Sequence, residues 1–302
     1  MQGALMGLRE DISASFDALR ARDVAAARAL VDELRARLDG ASPEAPAATA
    51  ATPDWHGLVG ECGVMLTLRG AIEKFARAHA PVLITGESGT GKERVARAVH
   101  ALSPRQGKPF VAENCAAIPE TLLESVLFGH KKGAFTGAVQ DHPGHFVAAH
   151  QGTLLLDEVG EMAPAMQAKL LRALQEGEVR AVGDSRTRRV DVRVLAATNQ
   201  QLERAVEEGR FREDLYFRLN VLRLEVPPLR ERGDDVRLLA RRFLSEATAR
   251  SGRALALSAA AEEALIKRRW PGNVRQLQNE MQRVAALADG PLVEPSDLSP
   301  ER

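Results

Sequence analysis

The chain has 302 residues, with 41 basic and 41 acidic side chains and a formal net charge of zero, so charge gives no argument for nucleic acid or a membrane surface as partner. Its two cysteines are far apart, which excludes a disulfide framework and a cysteine-rich zinc motif and fits a reducing, cytoplasmic location. No apolar run approaches the ~18 residues of a membrane span, and the start does not resemble a secretory signal.

Residues 1–39 are predicted to form a helical N-terminal appendage, because apolar side chains recur there at helical spacing. Residues 40–57 are predicted to be a linker, since most of this segment is rich in Ala, Pro and Thr. The pattern leaves open whether the appendage dimerises as a helix pair or is the remnant of a signal-receiving domain. It also does not show whether the appendage represses or activates.

From residue 58 to residue 230, strand-like and helical runs alternate, which is typical of an α/β fold with a parallel sheet covered by helices on both faces. From residue 231 to residue 302 only helices are predicted, so we expect a second, helical subdomain. Ser258 and Asn273 are the predicted N-caps of its last two helices. The predicted strands are 82–85, 110–114, 152–157 and 192–198, and the predicted helices of the second part are 235–251, 259–269 and 274–289.

A glycine-rich turn, GESGTGKE, follows the first predicted strand and precedes a helix. Its glycines let backbone N–H groups point inward at a phosphate, and the helix that follows adds the positive end of its dipole. Lys92 can then reach the outer phosphates. This context favours a P-loop over a plain glycine-rich turn, although Glu93 stands where Ser or Thr usually binds magnesium. The predicted nucleotide-binding residues are Gly86, Glu87, Ser88, Gly89, Thr90, Gly91, Lys92 and Glu93.

A second apolar strand ends in two adjacent acids, Asp157 and Glu158. A buried strand that delivers carboxylates beside a P-loop suits Mg²⁺ binding and water activation. We expect Asp157 to hold the metal, directly or through water, and Glu158 to orient the attacking water. The alternative is that Asp157 only caps the turn after the strand.

With these two motifs and a GAFTGA segment between them, the chain resembles the AAA+ domain of bacterial enhancer-binding proteins, the activators of sigma-54 RNA polymerase. The resemblance runs from about residue 58 to residue 298. It implies an AAA+ P-loop ATPase with a parallel sheet flanked by helices and a C-terminal α-helical lid subdomain, using ATP and Mg²⁺. The P-loop of this family also reads GKE. The residues expected to contact sigma-54 are Gly133, Ala134, Phe135, Thr136, Gly137 and Ala138.

The resemblance implies roles for three polar residues at predicted strand ends. Asn114 matches the switch asparagine, which holds the equivalent of Glu158 away from water until hydrolysis is licensed. Thr198 and Asn199 match the sensor I position, where a polar side chain can touch the γ-phosphate or the water. The alternative for Asn114 is a turn at the end of its strand.

Arg212 and Arg218 match the paired arginine fingers of the family, which reach the ATP of a neighbouring subunit. An arginine supplied in this way can raise the rate about 10³–10⁵-fold. The alternative is that either arginine forms a surface ion pair with Glu213 or Asp214.

The lid is expected to contribute Arg275, which matches sensor II of the family and reads the nucleotide. Trp270 is predicted to pack within the lid. Leu58 and Val59 are expected to line the adenine pocket.

Three histidines, at 142, 145 and 150, follow the GAFTGA segment. No cysteine or acid pair completes a metal site at normal spacing, so a solvated loop is predicted instead.

Taken with the resemblance, the sequence predicts an ATP-hydrolysing remodeller of closed complexes of sigma-54 RNA polymerase. We expect it to act as a ring of identical subunits, a hexamer, and without a membrane. Contact with promoter or enhancer DNA is possible, but no C-terminal helix-turn-helix is predicted in this sequence. The alternatives are an AAA+ ATPase that remodels a different protein partner and a module that binds nucleotide without turnover.

Overall fold

The computed structural model describes residues 55–249 and 254–300. The predicted appendage 1–39 and the first fifteen residues of the predicted linker lie outside this range. In chain order the elements are α1 (Gly63–Ala76), β1 (Val82–Thr85), α2 (Lys92–Ala101), β2 (Phe110–Asn114), α3 (Glu120–Phe128), α4 (His145–Ala148), β3 (Thr153–Asp157), α5 (Pro164–Glu176), β4 (Glu178–Arg180), β5 (Thr187–Arg189), β6 (Arg193–Thr198), α6 (Leu202–Glu207), α7 (Glu213–Leu219), β7 (Leu222–Glu225), α8 (Asp235–Thr248), β8 (Ala256–Leu257), α9 (Ala259–Lys267), α10 (Asn273–Leu287) and β9 (Leu292–Val293).

Five parallel strands form the central sheet in the order β2-β3-β6-β1-β7. Residues of β1, β3 and β6 are almost all buried, which explains why these strands are continuous apolar runs. The two faces of the sheet pack into separate hydrophobic clusters. On β3, for example, Leu154 and Leu156 enter one cluster and Leu155 enters the other. The predicted sheet with helices on both faces is therefore confirmed.

The register of the parallel strands brings their carboxyl ends to one edge of the sheet. Thr85 pairs with Thr198 and with Glu225, and Asn114 pairs with Asp157. Polar side chains from several strands therefore meet at this edge, which we call the polar edge.

Residues 129–144 form an arm that carries the GAFTGA segment. Its base is an antiparallel bridge, in which the backbone N–H groups of His130 and His142 each donate to the other residue's carbonyl, at 3.0 and 2.9 Å. The N–H of Lys131 donates to the carbonyl of Val182 at 2.9 Å. This contact places the arm beside the antiparallel hairpin β4–β5, which the sequence analysis did not predict.

The C-terminal part packs around its own hydrophobic cluster, built from α8, α9 and α10. The predicted N-cap Ser258 is confirmed, since its Oγ accepts from the N–H of Ala261 at 3.1 Å. The predicted N-cap Asn273 is wrong. Gly272 occupies the cap position of α10, and the side chain of Asn273 bonds to distant residues. The short parallel pair β8–β9 also lies in this part and was not predicted.

Within the described residues, no helix combines the length and the apolar character that crossing a bilayer would require.

Candidate functional site

The P-loop leaves β1 at Gly86 and enters α2 at Lys92. Gly86, Gly89 and Gly91 all have positive φ angles, of 154°, 77° and 102°. At Gly89 the reason is also steric, because a Cβ atom there would lie 2.4 Å from the carbonyl oxygen of Gly272 in the lid. The P-loop backbone therefore depends on its glycines, and the loop is packed against the lid.

Lys92 is buried at the start of α2, with only 6% of its side chain exposed. Its Nζ donates to the carbonyl of Gly86 at 3.0 Å and lies 3.5 Å from Oε1 of Glu158. The structure thus brings the P-loop lysine and the second acid of the strand-end pair together, as the motifs predict.

Glu158 directly follows β3 and adopts a left-handed backbone with φ of 52°. This conformation is unfavourable for a glutamate by about 1 kcal/mol. Its Oε2 accepts from the backbone N–H of Asn199 at 3.1 Å, so the carboxylate is held between Lys92 and the end of β6. A strained backbone with a fixed side chain is a frequent feature of functional sites.

Asp157 is half-buried, and its Oδ1 accepts from the N–H of Glu158 at 3.0 Å. Burial and the adjacent charge of Glu158 raise the pKa of Asp157, while Lys92 opposes this shift. A divalent cation would relieve the repulsion between the two carboxylates, and oxygen donors are the ligands that Mg²⁺ prefers. The residues present therefore fit Mg²⁺. Glu93, at the position that usually supplies a magnesium ligand, is paired with Arg97 at 2.7 Å.

The end of β6 contacts both motifs. The carbonyl of Thr198 accepts from the N–H of Gly86 at 3.3 Å, and its buried Oγ1 accepts from the N–H of Gln200 at 3.1 Å. The side chain of Asn199 is exposed. Both predicted sensor residues therefore lie beside the P-loop and Glu158.

Asn114 is at the polar edge, but its side chain forms a local turn. Its Oδ1 accepts from the N–H groups of Ala116 and Ala117, at 2.9 and 3.2 Å. The turn that was the alternative interpretation is therefore present. A switch role requires a conformation in which Nδ2 of Asn114 donates to the carboxylate of Glu158.

The lid is attached to the P-loop through Asn273, a contact that the sequence analysis missed. Asn273 is fully buried, and its Nδ2 donates to Oε2 of Glu87 at 3.0 Å and to the carbonyl of Ser88 at 3.1 Å. Its Oδ1 accepts from the N–H of Leu229 at 2.8 Å. Glu87 is also paired with Arg230, which, with Asn273, holds the pKa of that carboxyl below its usual value.

Arg275 lies two residues after Asn273 in the lid helix α10. Its backbone N–H donates to the carbonyl of Gly89 at 3.3 Å, and Nη1 lies 3.4 Å from Oγ of Ser88. The predicted sensor II residue thus contacts the P-loop. Trp270 packs inside the lid as predicted, where its Nε1 donates to the carbonyl of Leu265 at 2.8 Å.

Two buried charges behind the P-loop were also missed. Arg232 donates through Nη2 to the carbonyl of Thr90 at 2.8 Å and to that of Pro227 at 2.8 Å. Asp235 accepts from the N–H groups that precede α1, those of Glu61 at 2.7 Å and Cys62 at 3.2 Å. These residues lie between the P-loop, the first helix and the lid.

A cleft of about 330 Å³ lies between the P-loop and the lid. Its walls include the P-loop residues from Ser88 onward, Asp157 and Glu158. Part of its lining is apolar, as a base-binding pocket requires. The apolar lining residues are Leu58 and Val59, as predicted, with Leu239, Phe243 and Val274 from the lid.

Arg212 immediately precedes α7 and Arg218 lies in its last turn, and neither residue lines this cleft. Arg212 is paired with Asp214 at 2.7 Å, the surface ion pair that was the alternative interpretation. Nη2 of Arg218 donates to the carbonyl of Leu174 at 2.9 Å. Both side chains are on the surface, where a second subunit could meet them.

The GAFTGA loop is a compact turn at the end of the arm. The N–H of Gly133 donates to the carbonyl of Ala138 at 2.8 Å, and the N–H of Ala138 donates to the carbonyl of Phe135 at 3.0 Å. The ring of Phe135 packs edge-on against His130, with centroids 5.0 Å apart, and 38% of the residue is exposed. The loop thus presents part of an aromatic side chain to solvent.

The three histidines after the loop have separate partners. His142 stacks on His130, His145 contacts Glu113, and His150 accepts from the N–H of Asp191. Among the described residues no cluster of metal-binding side chains is present. The predicted loop is in part a short helix, α4, in which His145 contacts Glu113 and Phe146 stacks on Phe128.

The fold and this site define a P-loop ATPase with a helical lid. The sequence profile described as Sigma-54 interaction domain matches residues 58–225, and that of the AAA+ ATPase lid domain matches residues 230–302. The chain belongs to the Sigma-54 interaction domain family. Helices α9 and α10 lie within the residues that match the AAA+ lid domain.

Two of the curated relatives have names that describe regulatory proteins. The chain is 50% identical over 280 residues to the Nif-specific regulatory protein of Azorhizobium caulinodans, covering 93% of this chain and 45% of the relative. It is 52% identical over 258 residues to the response regulator protein PilR of Pseudomonas aeruginosa, covering 85% and 57%. The chain therefore spans about half the length of these relatives.

Among solved structures, NtrX from Brucella abortus in complex with ATP is 35% identical with a TM-score of 0.74, covering 94% of this chain and 60% of that protein. NtrX in complex with ADP is 34% identical with a TM-score of 0.75 and the same coverage.

Proposed function

We propose that the chain is an ATP-hydrolysing activator that remodels closed complexes of sigma-54 RNA polymerase to permit promoter opening. The observation that carries this proposal is the GAFTGA loop with its half-exposed Phe135, on the same compact unit as the P-loop cleft. An exposed aromatic tip is stabilised when a protein partner covers it. The family match and the regulatory names of the relatives support this function.

The cleft is proposed to bind ATP, as NtrX does in its solved complex. The P-loop N–H groups and Lys92 would bind the phosphates, and the apolar lining residues of the cleft would contact adenine. Glu158 would orient the attacking water, with Thr198 and Asn199 near the γ-phosphate. Asp157 would hold Mg²⁺, which when bound neutralises charge on the phosphates.

We propose a ring of identical subunits, a hexamer, in the cytoplasm. Its support is the position of Arg212 and Arg218 on the surface, outside the cleft of their own chain. In a ring they would stabilise the transition state in the neighbouring site. We keep the division into appendage 1–39, linker 40–57, ATPase subdomain 58–230 and lid 231–302.

The test is ATP-dependent open-complex formation on a pre-melted promoter with sigma-54 polymerase, at a protein concentration high enough to make enhancer DNA unnecessary. We expect open complexes that resist heparin. The Phe135→Ala variant should still hydrolyse ATP and form no open complexes. Hydrolysis without open complexes in the wild type would favour an AAA+ ATPase that acts on another protein partner. Deleting residues 1–39 would then separate that outcome from repression by the appendage.

A further inference from the structure

Two titratable side chains outside the cleft are in direct contact. Glu113 is the penultimate residue of β2, and His145 is the first residue of α4. Nε2 of His145 lies 2.7 Å from Oε2 of Glu113, with side chains 24% and 20% exposed. Neither residue lines the nucleotide cleft, so the pair has no part in binding the nucleotide directly.

The second oxygen of Glu113 contacts the polar edge. Its Oε1 accepts from the backbone N–H of Asn114 at 3.0 Å. Asn114 lies opposite Asp157 in the sheet, and the next N–H, of Cys115, donates to the carbonyl of Asp157 at 2.9 Å. A displacement of this strand end therefore also moves the carboxylate of Glu113.

His145 is fixed to the base of the arm. It directly follows Gly144, and a Cβ atom on Gly144 would lie 2.3 Å from the backbone nitrogen of Gly129. The next ring, of Phe146, stacks on Phe128 with centroids 5.3 Å apart and planes at 5°. Such close packing does not deform gradually, so the base of the arm and His145 must move together.

We propose that Glu113 and His145 are positioning residues that couple the polar edge of the sheet to the GAFTGA arm. One carboxylate oxygen bonds to the strand end and the other to the first residue after the arm. The pair thus connects the end of β2 to the base of the arm. The proposal rests on the proposed function, in which nucleotide turnover moves the arm.

The test is hydrogen exchange of the full chain, read by mass spectrometry with and without a slowly hydrolysed ATP analogue. In the wild type we expect the analogue to change exchange in both the P-loop and residues 129–144. Glu113→Ala and His145→Ala should keep the P-loop change and reduce the change in the arm at least about fivefold, the lower end of typical coupling factors. Glu113→Gln should retain most of the arm's response, because the amide can still bond to both neighbours.

His150→Ala is the matched control, since His150 follows the same helix but bonds to the backbone of Asp191. It should respond like the wild type. The proposal is overturned if the arm responds equally in all variants, if His150→Ala loses the response as well, or if the wild-type arm does not respond. Thermal melts of every variant identify a folding defect, and His145→Gln replaces His145→Ala if the latter is unfolded.

The two proposals fail in different ways. If the arm responds to nucleotide but the protein forms no open complexes, the proposed sigma-54 function is wrong and the proposed coupling stands. If the wild type and His145→Ala form the same number of open complexes per ATP hydrolysed, the proposed coupling is wrong and the proposed function stands.

Discussion

The contact between lid and P-loop depends on Asn273, and we expect Asn273→Ala to weaken it strongly. The side chain is fully buried and takes part in three hydrogen bonds, to Leu229, Glu87 and Ser88. Alanine removes all three. It also leaves the buried N–H of Leu229 without its acceptor.

The expected loss in the free energy of unfolding is about 4 kcal/mol. The orphaned donor of Leu229 costs about 2 kcal/mol, and each of the two bonds to the P-loop contributes about 1 kcal/mol or less. The bond to Glu87 is at the low end, because that carboxylate is 43% exposed and solvent screens it. Asn273 also has a φ of 51°, which asparagine tolerates and which costs alanine about 1 kcal/mol.

Urea unfolding and ATP affinity measure this effect. Asn273→Gly should be about 1 kcal/mol less damaging than Asn273→Ala, because glycine accepts the positive φ. Ser258→Ala is the control, since it removes a helix cap in the same lid for about 1 kcal/mol without touching the P-loop. It should leave ATP affinity unchanged, whereas Asn273→Ala should weaken it. A loss below about 1 kcal/mol in Asn273→Ala, or unchanged ATP affinity, would refute this reasoning.

Arg218→Ala should bind ATP normally and hydrolyse it about 10³-fold more slowly. Mixing it with Glu158→Gln, which supplies an intact arginine, should restore part of the turnover. If turnover does not recover, Arg218 does not act on the site of a neighbouring subunit. Arg230 lowers the pKa of Glu87 from 4.5, so the pair's stabilisation is complete above that value and is lost as pH falls through the lowered pKa. The difference in unfolding free energy between wild type and Glu87→Gln should therefore shrink from about pH 6 to about pH 3, and a constant difference would contradict the pairing. Burial raises the pKa of Cys115 to about 12, so mass spectrometry should find this thiol unmodified by iodoacetamide until urea is added; labelling in the folded protein would be inconsistent with that burial.

The sheet and the cleft could be predicted because local sequence determines them. Buried parallel strands are apolar runs. Asp157 and Thr198 are the last residues of two such runs, and Lys92 follows the glycine-rich loop after a third. Parallel register then brings strand ends to one edge, so order along the chain is enough to place these residues together.

Two of the missed elements, β7 and the hairpin strand β5, are short and carry charges on the surface. In β7 Arg223 and Glu225 are exposed, and in the hairpin strand β5 all three residues are exposed. Such segments lack an apolar run, so their pairing depends on neighbours that the sequence does not reveal. The same holds for Asn273, whose position before a helix predicts a cap although its partners lie 44 and 186 residues away.

The segment between sheet and lid restrains the movement of the lid. Arg232 bonds to the carbonyl of Thr90 in the P-loop, and Asp235 begins α8 while accepting from the N–H groups of Glu61 and Cys62. Both charges are almost fully buried, and removing one partner of such a group leaves an uncompensated charge that costs several kcal/mol. The lid therefore cannot leave the P-loop at this end without that cost. Its cheaper movement is a rotation about this segment, which would first break the more exposed contacts of Arg275 with Ser88 and of Arg230 with Glu87.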